Sequence, residues 1–273
     1  MPELRGKVAL ITGASSGIGE STALHFASLG CWLSLTARSK ANLERVAEAC
    51  SQQGIPRDKV LVVPGDVSVE KDVADVVEKT VKHFGKLDIL VNNAGITVQK
   101  SIQDASLEDF NRVWNTNFLG PLSMIRNAVP HLRQTKGNIV NVSSVASLIV
   151  VENLAPYSIS KAALDNLTRC AALENAPYGV RVNAINPAVI KTPIIKHPAM
   201  SMEDHIKLLQ ETTALGHALG RVGEPEEVAR CIAFLASDDA SFVTGITMPV
   251  DGGMLLLSSL HPPTPQLESL KTA

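Results

Sequence analysis

Tyr157 and Lys161 stand four residues apart at the start of a stretch that continues through Leu164 and Leu167 with helical spacing. Four residues apart means one helical face. A phenol ionises near ~10 and is a poor base at neutral pH, but a neighbouring ammonium favours the phenolate. Tyrosine and lysine in this arrangement therefore suit an acid/base group and its tuner. Thirteen residues before Tyr157, the run Asn141-Val142-Ser143-Ser144 closes an aliphatic segment. A serine hydroxyl there could hold and polarise a carbonyl oxygen beside the pair. The chemistry that the trio suits is proton transfer at a carbonyl or alcohol oxygen.

That spacing gains force from a second motif. The first aliphatic run leads directly into Thr12-Gly13-Ala14-Ser15-Ser16-Gly17-Ile18-Gly19-Glu20, followed by a helical pattern through Leu24 and Phe26. Glycines at 13, 17 and 19 permit a tight turn and let backbone amides, with Ser15, Ser16 and Ile18 among them, approach a pyrophosphate at a helix N-terminus. The pattern is GxxxGxG, distinct from the commoner GxGxxG. The second strand ends Leu35-Thr36-Ala37-Arg38-Ser39-Lys40, without the carboxylate that takes adenosine ribose hydroxyls in NAD sites. Arg38, with Ser39 and Lys40 beside it, suits a 2′-phosphate, so NADP(H) is expected in preference to NAD(H).

Positioning these groups requires a scaffold, and the hydrophobic pattern supplies one. Aliphatic runs begin at Val8, Trp32, Val60, Ile89, Ile139 and Val180, with a seventh at Ile246–Val250. Each fits a strand buried on both faces. Between the third and fourth, Val73, Val76, Val77, Val81 and Phe84 line one helical face. The alternation predicts a single-domain, Rossmann-type α/β fold over 5–255, a doubly wound parallel sheet of about seven strands with helices on both faces. Residues 187–220 break the rhythm after the sixth strand, where such sheets bind ligands, and are expected to form a lid. The stretch 256–273, with three prolines in four residues, reads as a loose tail.

Composition narrows the function classes. The chain has 273 residues, 45% hydrophobic and 19% charged, with a net charge of −2, which excludes a disordered chain and disfavours a polyanion partner. Aromatics at 4% leave few platforms for stacking on bases. Four scattered cysteines, without a CxxC pair, read as buried small hydrophobes in a reducing compartment, and no metal site is expected. Nothing resembles a signal peptide or a membrane span, so a cytoplasmic protein is expected.

Taken together, the motifs resemble the short-chain dehydrogenase/reductase family across nearly all of residues 5–253. The resemblance rests on the glycine motif, Asn92-Asn93-Ala94-Gly95, Asn117 in Asn117-Phe118-Leu119-Gly120, Ser144, Tyr157 to Lys161, Asn186-Pro187 leading to Thr192, and Asp251-Gly252-Gly253. It implies Tyr157 as general acid/base, Ser144 as the group orienting the substrate oxygen, and Lys161 as the residue that binds the nicotinamide ribose and lowers the tyrosine pKa. Asn117 would hold a water linking Lys161 to solvent. Asp66 and Val67 would contact adenine, Asn93, Ala94 and Gly95 would line the cofactor, and Pro187, Ile190 and Thr192 would grip the carboxamide. Ala188 departs from the glycine that the family usually has there, which puts details of substrate shape in doubt.

The loop from Val145 to Leu154 is mostly apolar and is expected to floor a pocket for a hydrophobic ketone or secondary alcohol. Glu152 and Asn153 read as rim or structural residues. A 3-oxoacyl thioester reductase is the enzyme alternative; a non-catalytic dinucleotide sensor or scaffold is the alternative from another class. The resemblance also implies a homotetramer, or a homodimer, through helices near 106–132 and 156–176 and the last strand.

Overall fold

In the computed structural model, which describes residues 3–196 and 199–257, every expected aliphatic run is a strand. These are β1 (Val8–Thr12), β2 (Trp32–Thr36), β3 (Val60–Val62), β4 (Ile89–Asn92), β5 (Asn138–Val142), β6 (Arg181–Pro187) and β7 (Thr247–Val250). All pair in parallel in one sheet of order β3-β2-β1-β4-β5-β6-β7. The order reverses between β1 and β4, and a crevice opens at such a switch point beyond the strand C-termini.

The helices are α1 (Gly17–Ser28), α2 (Lys40–Ser51), α3 (Glu70–Phe84), α4 (Leu107–Trp114), α5 (Gly120–Thr135), α6 (Ala155–Asn175), α7 (Met202–Thr213) and α8 (Pro225–Ala236). Period-two alternation in β1 assigns its side chains to two cores. Ala9 and Ile11 join Phe26 of α1, Val46 of α2 and Ile232 of α8. Val8 and Leu10 join Val76 of α3, Met124 of α5 and Ala172 of α6. The expected face of α3 is the one buried, and Gly85, at φ +77°, ends that helix in the left-handed region.

Two features lock α6, which carries Tyr157 and Lys161, onto the sheet. Asn92 of β4 donates to Asn141 Oδ1 of β5 at 2.9 Å, and Asn141 donates to Thr168 Oγ1 of α6 at 2.9 Å. These groups are buried, so each bond offsets a desolvation cost that an unpaired amide would carry in full. Between α4 and α5 the chain passes through one π-helical turn, Asn115–Leu119. The wider turn leaves Asn117 fully buried against α6 rather than on the solvent face.

Cys31 and Cys50 are buried as expected, but Cys170 is exposed and Cys231 half-buried, because their helices leave those faces partly uncovered. Among the described residues, no helix is long and apolar enough to cross a membrane. The expected loose tail lies outside the described residues from position 258 onward.

Candidate active site

The glycine motif forms the turn from β1 into α1. Gly13 and Gly17 have φ of +64° and +58°, where a side chain is strained. Gly19 is required by a close approach instead: a Cβ there would lie 2.3 Å from the Gly13 carbonyl oxygen. Asn93 braces the turn, donating to the carbonyls of Thr12 at 2.9 Å and Gly13 at 3.2 Å. Thr12 Oγ1 returns the contact by accepting from the N–H groups of Asn93 and Ala94, both at 3.0 Å. The side-chain NH2 and the backbone N–H of Asn93 therefore both serve the loop.

A dinucleotide fits what remains. Ser16 caps α1 without a side-chain hydrogen bond, which leaves first-turn amides open to an anion. A Cβ on Gly17 would come within 3.1 Å of Thr192, so the loop and the start of the 187–220 segment face each other. At the end of β2, Thr36 Oγ1 is buried with no partner. Arg38 is exposed and has no ion pair among the described residues, while Ser39 accepts from the Asn42 N–H and caps α2. Arg45, also near the loop, is held by Glu20 at 2.6 Å and by the Ser15 carbonyl. Asp66 folds its carboxylate onto the N–H and hydroxyl of Ser68, and Val67 packs where a Cβ on Gly120 would meet it at 3.1 Å.

Beyond β5, Ser144, Tyr157 and Lys161 come together. Ser144 Oγ accepts from the Ala146 N–H at 3.1 Å and lies 3.5 Å from the Pro187 carbonyl, and its hydroxyl favours the ionised form of the Tyr157 phenol. Lys161 is buried and donates to the Val142 carbonyl at 2.7 Å. Its ammonium lies 5.6 Å from the centroid of the Tyr157 ring. Burial lowers Lys161 from 10.5 to about 8, against the opposing pull of the Asp165 carboxylate.

Tyr157 departs from the expectation that the ammonium would lower it. The residue keeps some exposed surface, yet burial at its hydroxyl raises the phenol, and the Ser144 hydroxyl works the other way. Desolvation of the anion sets the direction. The phenol is held in its proton-donating form.

Asn117 accepts from the Ile96 N–H and donates to the Ile96 carbonyl, both at 2.9 Å, and to Ser160 Oγ at 3.1 Å. A Cβ on Gly95 would lie 3.5 Å from both Asn117 Oδ1 and Lys161 Nζ. The side chain of Asn117 thus ties the loop after β4 to α6 beside the lysine.

The flanking segments differ in part from expectation. Only Val145 and Ala146 of the loop after Ser144 are buried; Leu148, Ile149, Val150 and Val151 are exposed and form a rim rather than a floor. Asn153 has φ +60°, a turn position that asparagine tolerates. Ile190 and Thr192 are buried, and Ile190 bridges to Gly223, which ties the base of the 187–220 segment to the residues before α8. Lys191 pairs with Glu224, which lies outside that segment. Ser147, Asp165 and Asn186 form a buried hydrogen-bond cluster behind Ser144. Asp165 lies four residues beyond Lys161, and that helical spacing was the sequence signal for it.

The family model described as enoyl-(acyl carrier protein) reductase matches residues 13–255. The chain is 40% identical to a 3-oxoacyl-(acyl-carrier-protein) reductase from Thermotoga maritima, over 93% of this chain and 99% of that one. The chain belongs to the short-chain dehydrogenase/reductase family. It is 38% identical to a meso-2,3-butanediol dehydrogenase from Serratia marcescens, over 90% and 94% of the two chains. A crystal structure of a short-chain dehydrogenase/reductase from Caenorhabditis elegans, of unknown function and with cofactor, superposes with a TM-score of 0.89. That structure is 32% identical and covers 94% of this chain and 98% of its own. As a member of the family, this short-chain dehydrogenase/reductase is an oxidoreductase of CH–OH and C=O groups and uses a nicotinamide dinucleotide.

Proposed function

We propose that this enzyme reduces a hydrophobic ketone with NADPH, or oxidises the corresponding secondary alcohol, with Tyr157 as the general acid/base. The observation that carries the reading is the cluster of Ser144, Tyr157 and Lys161 beside a glycine loop shaped for a pyrophosphate. When bound, the nicotinamide supplies or accepts the hydride. Gly13, Ser15, Ser16, Gly17, Ile18 and Gly19 would hold its diphosphate, and Arg38 with Ser39 its 2′-phosphate. Asp66 and Val67 would lie against the adenine, Ala94 and Gly95 along its path, and Pro187, Ile190 and Thr192 at the carboxamide.

Ser144 donates to the substrate oxygen and orients it. Tyr157 transfers the phenolic proton to that oxygen in reduction and takes it back in oxidation. Lys161 holds its ammonium near the phenol and passes a proton toward solvent past Asn117. Exposed apolar side chains on the loop after Ser144 and on the 187–220 segment support a hydrophobic substrate. They are Leu148, Ile149, Val150 and Val151 on the loop, and Ile194, Ile195, Met202 and Leu208 on the 187–220 segment, which we read as a lid. A homotetramer in the cytoplasm belongs to the same reading.

Oxidation of NADPH should be measured with 2,3-butanedione, acetophenone, a steroid ketone, a sugar and a 3-oxoacyl thioester. The ketones are expected to give the highest kcat/KM. A thioester that outpaces them all supports the 3-oxoacyl reading, and no turnover with any class supports a dinucleotide sensor.

Cofactor choice is tested at Arg38. A charge-assisted contact contributes roughly 1.5–3 kcal/mol, so Arg38→Ala should lower the ratio of kcat/KM for NADPH over NADH by about tenfold to a hundredfold. A wild-type preference for NADH would reverse the assignment.

A further inference from the structure

Asp165 is 3% exposed, a rare position for a carboxylate. Its Oδ2 lies 2.5 Å from Ser147 Oγ and accepts from Asn186 Nδ2 at 2.9 Å, while its Oδ1 is buried with no hydrogen-bond partner. Ser147 Oγ is also 2.6 Å from the Ser144 carbonyl, but a hydroxyl has one proton, and the charged carboxylate is the stronger acceptor. Asn186 Nδ2 in turn lies 3.1 Å from the Ser144 carbonyl and 2.9 Å from Ser147 Oγ. Three pieces of the reaction centre therefore meet at one side chain. They are α6 with Tyr157 and Lys161, the turn that carries Ser144, and the end of β6 that leads through Asn186 to Pro187.

Stability alone does not account for this arrangement. A buried carboxylate with one oxygen unpaired carries a desolvation cost, and an apolar side chain of similar size would commonly fold as well or better. Asp165 makes no contact ion pair among the described residues, since the Lys161 ammonium is bonded to the Val142 carbonyl. Its charge nonetheless acts on that ammonium from one helical turn away. The other elements around Lys161 present Gly95, the Asn117 amide and the Val142 carbonyl, and its own helix presents the neutral phenol of Tyr157. Of these neighbours Asp165 alone carries a charge opposite to that of Lys161, and it opposes the effect of burial.

We propose that Asp165 is a positioning residue of this enzyme, clamping the Ser144 turn and the end of β6 to α6 and placing a carboxylate one helical turn from Lys161. The inference rests on the proton-transfer reading of Tyr157 and Lys161. Two variants separate its two parts: Asp165→Asn keeps the shape and removes the charge, whereas Ser147→Ala removes a tie and keeps the charge.

Protein labelled with ¹³Cε-lysine would be titrated by NMR, with Lys161→Met assigning the signal, and kcat and KM would be measured with 2,3-butanedione and NADPH. In Asp165→Asn, Lys161 is expected to titrate roughly one pH unit lower than in wild type. Its kcat should fall about tenfold, with the KM for NADPH within about twofold of wild type. Ser147→Ala should lower kcat about threefold or more and leave the Lys161 titration in place. An unmoved Lys161 signal in Asp165→Asn overturns the charge role, and wild-type kcat in Ser147→Ala overturns the clamp. Should Asp165→Asn fail to fold, Ser147→Ala still decides the clamp. If wild type turns over none of the carbonyl classes, the acid/base reading fails on its own, and the NMR titration still decides what Asp165 does to Lys161.

Discussion

Tyr157→Phe is expected to lower turnover of a good ketone by about a thousandfold while leaving cofactor affinity within about twofold of wild type. The substitution removes one oxygen and keeps the ring, so packing at the start of α6 is preserved. What is lost is the proton donor that burial maintains and Ser144 addresses. Cofactor affinity, measured by quenching of protein fluorescence with NADPH, separates loss of chemistry from loss of the site. Activity near wild type would show that another group delivers the proton. Only two tyrosines occur in the chain, so the phenolate absorbance that disappears on substitution identifies Tyr157 directly.

The scaffold was legible in the sequence because the central strands are buried on both faces. A run such as Val8-Ala9-Leu10-Ile11 has no other stable place in a chain of this composition, and all seven runs became strands. The glycine motif was legible for a related reason: Gly13 and Gly17 adopt backbone angles that other residues resist, and Gly19 lies too close to a carbonyl for any side chain. The π turn at Asn115–Leu119 left no such mark, since its residues are ordinary helix residues and the extra one is set by packing against α6.

The electrostatics of the site were legible only in type. Spacing put Tyr157 and Lys161 on one face, and a pairwise argument then predicted a lowered phenol. Depth of burial decides the sign, and sequence spacing does not give depth. The apolar loop after Ser144 shows the same limit. Its apolar composition was legible, but its burial pattern turned an expected floor into an exposed rim. Asp165 was within reach of the sequence argument, as the third member of a 157-161-165 stripe, and its partner Asn186 was not.

Lys161→Met is expected to abolish most turnover and also to change how stability responds to pH. Burial holds the folded-state value near 8 against 10.5 for an ordinary lysine. Below pH 8 both folded and unfolded chains carry the proton, and the fold bears the full cost of burying the ammonium. Between pH 8 and 10.5 the unfolded chain retains a proton that the folded one has released, so wild-type stability from this group rises with pH. The rise amounts to about 3 kcal/mol on completion. Methionine has no proton to release and shows no such rise, though it also leaves the Val142 carbonyl without its 2.7 Å donor, at a cost of about 1–3 kcal/mol. The absolute stability of the variant at pH 7 thus reflects two opposed effects of similar size, while its pH dependence isolates one. Denaturant unfolding of both proteins at pH 7.5 and 10.5 should show wild type gaining on the variant by about 3 kcal/mol. Parallel behaviour of the two proteins would mean that Lys161 keeps its proton throughout, and the ammonium would then be available to Tyr157 well above pH 8.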